Sequence, residues 1–141
     1  MSEKPVILVV DDDGPILALM RNLLKEFGFH AVTADNGSKA IEAARTQAPS
    51  LVLLDRNMPG IANDEVIRTL RSEPGCAELP VLILSGERVP HAELARLGAN
   101  AAVQKPFDVA SLIAQIRSFV GVDGDSGSSG IGSGGGSEAS S

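Results

Sequence analysis

Residues 6–10 (VILVV) form an unbroken apolar run, as expected of a strand buried on both faces of a parallel sheet, and the run stops at three aspartates. After Gly14-Pro15 the spacing becomes helical, with Ile16, Met20, Leu23, Leu24 and Phe27 on one stripe. Pro15 suits a first helical turn, and Gly28 suits the left-handed position that closes a helix. The same unit then recurs. His30–Ala34 reads as a short strand, and Asn36-Gly37 opens a helix through Ala40, Ile41 and Ala44 that Pro49 stops. Leu51–Leu54 is the next buried strand, ending at Asp55, and a helix follows around Asp64–Arg71 with Val66, Ile67 and Leu70 as its apolar side. Pro80 begins the strand Val81–Leu84, which ends at Ser85, and Pro90 starts a helix with Leu94 and Leu97 that Gly98 closes. Ala101–Val103 is a weaker strand ending near Lys105. Asp108 caps a last helix carrying Leu112, Ile113, Ile116, Phe119 and Val120.

Five strand–helix alternations predict an α/β domain, an all-parallel sheet with helices on both faces. Right-handed crossovers make it doubly wound. Ligands of such folds sit at the carboxyl ends of the strands. There the sequence places Asp11-Asp12, Asp55, Ser85 and Lys105. From residue 121 onward the pattern ends: eight of the last 21 residues are Gly and seven are Ser. Such a segment buries too little apolar surface to offset its chain entropy. The expected division is a folded domain over 1–121 and a flexible Gly/Ser-rich stretch over 122–141, whether native tail, linker or cloning remnant.

Composition narrows the picture further. With 3% aromatic residues and neither Trp nor Tyr, the core must come from Leu, Ile, Val and Ala. A net charge of −6 argues against non-specific nucleic-acid binding, which requires clustered Lys and Arg. The single cysteine, Cys76, cannot form an internal disulfide; in Glu73-Pro74-Gly75-Cys76 it reads as a small loop residue. With no signal peptide and no membrane-length apolar run, a cytoplasmic setting is expected.

Three carboxylates gathered at strand ends repel one another and call for a compensating cation. Oxygen-only ligands favour Mg²⁺ or Mn²⁺ over zinc. Lys105 adds a second positive charge. A pocket of carboxylates, a hard cation and a lysine, without His or Cys, suits phosphoryl transfer, and a carboxylate can itself be the nucleophile. Asp13 reads as a helix cap, and His30 and His91, without ligand partners at suitable spacing, as structural or solvated. Arg56 reads as an exposed rim residue.

Val9-Val10-Asp11-Asp12, Leu54-Asp55-Arg56-Asn57-Met58-Pro59-Gly60, Leu84-Ser85-Gly86-Glu87 and Gln104-Lys105-Pro106-Phe107 resemble, in order and spacing, the motifs of bacterial response-regulator receivers over roughly residues 5–120. The resemblance implies a flavodoxin-like strand order of 2-1-3-4-5 and a cis bond between Lys105 and Pro106. It implies that Asp55 accepts a phosphoryl group from a sensor histidine kinase or phosphotransfer protein, in a signalling module rather than an enzyme with turnover. Asp11 and Asp12 would serve Mg²⁺, Asp12 directly, together with Asp55 and the backbone carbonyl of Asn57. Ser85 and Lys105 would each contact a phosphoryl oxygen. Asn57 and Glu87 would tune the phosphate's lifetime to seconds or minutes, as their pairing does in the single-domain chemotaxis regulator.

Two positions depart from the family pattern. Ala102 stands where an aromatic switch residue is usual, and Ala62-Asn63 where Asp-Gly is common. Two other readings stay open: a pseudo-receiver that serves only as an interaction surface, and an aspartate-nucleophile phosphohydrolase. Against the hydrolase, Asn57 stands where its general acid would be and cannot exchange the proton. The expected output is a switched protein–protein contact with an unnamed target, involving neither nucleic acid nor membrane.

Overall fold

The computed structural model describes residues 4–56 and 63–121. Five strands and five helices alternate: β1 (Val6–Val10), α1 (Gly14–Glu26), β2 (His30–Ala34), α2 (Gly37–Gln47), β3 (Leu51–Asp55), α3 (Asn63–Ser72), β4 (Val81–Ser85), α4 (His91–Leu97), β5 (Ala101–Gln104) and α5 (Val109–Val120). All strand pairs are parallel, in the order β2-β1-β3-β4-β5. This is the α/β, flavodoxin-like arrangement expected.

The central strands are buried on both faces, and their alternating side chains divide into two cores. Leu8, Val10, Val52, Leu54, Val81 and Ile83 pack with α2, α3 and Leu97 of α4. Ile7, Val9, Leu51, Leu53, Leu82 and Leu84 pack with α1 and α5 on the other face. Burying each of these aliphatic side chains is worth roughly 1.5–3 kcal/mol, so the sheet carries a large share of the folding energy.

The helix signals act as expected. Asp13, Asn36 and Asp108 cap α1, α2 and α5 by accepting the backbone N–H groups of Ile16, Lys39 and Ser111. Gly28 and Gly98 are left-handed, with φ of 92° and 84°. Pro49 excludes the residue before it from the helical region, and Ala48 ends α2 at φ 47°.

Two expectations need correction. On α1 the buried residues are Leu17, Met20 and Leu24, while Ile16 and Phe27 are exposed. The core is not purely aliphatic, because Phe29 is fully buried under α1. Cys76 lies in a loop, as expected, and is buried there as a member of the α3-side core. Its loop is drawn inward by Arg71, whose guanidinium donates to the carbonyls of Cys76, Leu79 and Gly98 and to Asn100 Oδ1.

Candidate functional site

The register of the central strands builds the site. Val10 lies beside Leu54, and Asp55 lies beside Leu84, so the residues following β1 and ending β3 reach one level. Backbone bonds carry the ladder one residue further: Asp11 N–H donates to Ala34, Arg56 N–H to Leu84, and Lys105 N–H to Ser85. Asp11, Asp55 and Ser85 are thereby held, buried, at the carboxyl edge of the sheet.

Asp11, Asp12 and Asp55 each present a carboxylate oxygen, and these oxygens lie within 4.8 Å of one another. Asp12 is exposed, whereas the other two are buried. Opposite them, Lys105 Nζ lies 2.9 Å from Asp55 Oδ1. The Lys105–Pro106 bond is cis, as the resemblance implied. Burial pushes the Asp11 carboxyl above its ordinary value, and the charges of Asp55 and Asp12 push the same way. The Asp13 N–H on Asp11 Oδ1, at 3.0 Å, and the Lys105 ammonium pull against that rise. One lysine facing three acids leaves an excess of negative charge. An all-oxygen donor set of this kind fits a hard divalent cation.

Ser85 Oγ accepts the backbone N–H of Glu87 at 3.0 Å, which fixes the hydroxyl against the turn after β4. The expected residues Asp11, Asp12, Asp55, Ser85 and Lys105 thus share one sheet edge, with Glu87 on the adjoining turn. Asn57, together with the Met58–Ala62 stretch, lies outside the described residues. His30 and His91 are exposed and stand apart from the acids, at a strand start and a helix start.

Sequence reasoning missed one connection at the site's rim. Arg56 is half-buried, and its guanidinium donates to Glu93 Oε2 of α4 at 3.1 Å. Arg96 holds the same carboxylate through both of its oxygens. These two arginines, Arg96 foremost, hold Glu93 below the usual carboxylate range. A pair separated by 37 positions leaves no local pattern to find.

The family model for the response regulator receiver domain matches residues 7–117. The chain belongs to the response-regulator receiver family. This receiver is 38% identical over 121 residues to the probable transcriptional regulatory protein TcrX of Mycobacterium tuberculosis, covering 83% of this chain and 50% of that protein. It is 34% identical over 118 residues to the transcriptional regulatory protein PrrA of the same organism, covering 82% and 50%. The receiver therefore spans about half the length of these relatives. Among solved structures, it superposes on the chemotaxis protein CheY4 of Vibrio cholerae with a TM-score of 0.78 and 25% identity, covering 83% of this chain and 99% of that one. The receiver domain of the sensor histidine kinase PA1611 from Pseudomonas aeruginosa, solved with magnesium in its active-site cleft, shares the fold at TM-score 0.76 and 20% identity, covering 85% and 100%. The receiver is a signalling domain of two-component systems. Among its described residues no helix is long and apolar enough to cross a membrane.

Proposed function

We propose that this receiver takes a phosphoryl group from the phosphohistidine of a sensor kinase or phosphotransfer protein onto Asp55. The observation that carries the reading is the 2.9 Å approach of Lys105 Nζ to Asp55 Oδ1 beside a three-carboxylate cluster. The Asp55 oxygen attacks phosphorus as the P–N bond breaks. The electron pair returns to the imidazole nitrogen, which takes a proton from solvent. Catalysis of such a step is positioning and charge neutralisation.

Mg²⁺, or Mn²⁺, held by Asp11, Asp12, Asp55 and the Asn57 carbonyl would supply positive charge to the incoming phosphoryl oxygens. Lys105, already at the acceptor, would move its ammonium onto a second oxygen, and the Ser85 hydroxyl onto a third. Asn57 and Glu87, two positions beyond acceptor and hydroxyl, are assigned the tuning of phosphate lifetime, on the scale of seconds to minutes. A half-life of many hours in the purified protein with Mg²⁺ would contradict that assignment.

The folded unit is taken as 1–121, with 122–141 as tail or linker, and its output as a phosphorylation-dependent contact with another protein. The relatives' names point to transcription, and a longer protein containing this receiver would act through whatever lies beyond the matched half. The test is co-incubation with labelled, autophosphorylated kinases and phosphotransfer domains from the same genome. Mg²⁺-dependent transfer of label to the wild type but not to Asp55→Asn is expected. Failure with every donor, and with small phosphodonors as well, would favour an interaction module not switched by phosphate.

A further inference from the structure

The β5 position that packs beside α4 is Ala102, a residue with no rotamer to change. A rotamer switch at this β5 position is therefore closed to this protein, and a signal from Asp55 to α4 needs another carrier. α4 itself is lightly held. It is seven residues long, buries only Leu97 fully, and has Leu94 half-buried behind it. Its first turn is anchored instead by Glu93, which accepts from Arg56, the residue directly after Asp55. Arg56 is fixed in turn to β4 by its own N–H on the Leu84 carbonyl.

We infer that the Arg56–Glu93 pair is the link through which the state of Asp55 reaches α4, Arg56 and Glu93 acting as positioning residues. This rests on the reading of Asp55 as phosphoacceptor. A phosphoryl group on Asp55 adds negative charge to the residue that precedes Arg56 in the chain and competes with Glu93 for the Arg56 guanidinium. Glu93 can let go at low cost, because Arg96 already holds both its oxygens, at 3.1 and 2.7 Å. The cluster thus has two satisfied arrangements: Arg56 bound to α4, or Arg56 turned to the acceptor with Glu93 kept by Arg96. Exchange between them releases the first turn of α4 while Leu97 keeps its far end seated, a hinge-like shift of a weakly held element.

The experiment uses the full chain, ¹⁵N-labelled, with Mg²⁺ and beryllofluoride as the aspartyl-phosphate mimic. Bound ¹⁹F signal reports occupancy of Asp55, and amide shifts report α4. In the wild type, beryllofluoride is expected to displace the amides of His91–Leu97. In Glu93→Gln those amides should start displaced toward their activated positions and lose most of their further response, at unchanged ¹⁹F occupancy. Arg96→Gln, which takes away the residue that would keep Glu93 once Arg56 turns, should leave ¹⁹F occupancy unchanged but weaken the α4 response, and a full wild-type response there counts against the exchange. A full α4 response in Glu93→Gln overturns the proposal, as does an unmoved α4 in wild type with fluoride bound. Absence of bound fluoride in the wild type overturns the phosphoacceptor reading first, and this proposal with it.

Discussion

Replacing Asp11 by Asn isolates the electrostatic tension in the site. The substitution keeps the shape and retains an oxygen to accept the Asp13 N–H. It removes one of three carboxylates whose oxygens lie within 4.8 Å. At that separation a pair of charges repels by about 1 kcal/mol in a water-like medium and about 3 kcal/mol at an effective dielectric of about 20. Asp11 faces two such neighbours, and Lys105 offsets one of them, so cation-free Asp11→Asn should be more stable than wild type by about 1–3 kcal/mol at neutral pH. Urea unfolding in chelator measures this. Added Mg²⁺ should stabilise the wild type strongly and the variant much less, because binding energy to the folded state appears as folding energy.

The pH dependence has a definite sign. A carboxyl raised above its unfolded value favours folding when protonated, and that contribution is lost as pH rises through the folded value. Cation-free wild type should therefore gain on Asp11→Asn as pH falls from neutral, until the two converge. A variant less stable than wild type without cation, equal Mg²⁺ stabilisation of both, or a gap that widens on acidification would refute the reasoning.

Three further outcomes follow from the geometry. Lys105→Gln should slow phosphoryl uptake from a small donor by about tenfold to hundredfold, read by single-turnover labelling, because the acceptor loses its charge partner. Arg71→Lys should cost about 2 kcal/mol in urea unfolding, since an ammonium cannot replace a planar fork that reaches three carbonyls and Asn100. Gly98→Ala should destabilise more than Gly28→Ala by thermal melting. Both positions require positive φ, but at Gly98 the new methyl also meets Ile67 Cγ2 at 3.3 Å, whereas Gly28 opens onto free space.

Much of this was legible in the chain. The buried strands announced themselves as apolar runs, and the residues ending those runs are the ones the register brings together, because parallel strands place their carboxyl ends on one edge. Asp13, Asn36, Gly98 and Asp108 act locally and could be placed from a few neighbours. Strand order came from the family motifs and not from periodicity. Where packing chooses among equals, pattern fails. Ile16, Leu17, Leu19 and Met20 crowd one stretch of α1, and only contact with the sheet selects Leu17 and Met20 for burial. Cys76 looked like loop because its neighbours are Pro and Gly, yet the Arg71 bonds fold that loop over the core, where a thiol packs as a small apolar group. The Arg56–Glu93 bond is purely tertiary: one residue was read as rim, and the other belongs to a helix whose placement no local signal fixes.

The central claim concerns a covalent bond on one side chain, and chemical trapping reads that bond directly. After incubation with a small phosphodonor and Mg²⁺, borohydride reduces an aspartyl phosphate to homoserine, and peptide mass spectrometry locates the change. The account predicts homoserine at position 55, dependent on Mg²⁺ and absent without donor. An unaltered Asp55, or reduction at another carboxylate with Asp55 intact, would contradict it.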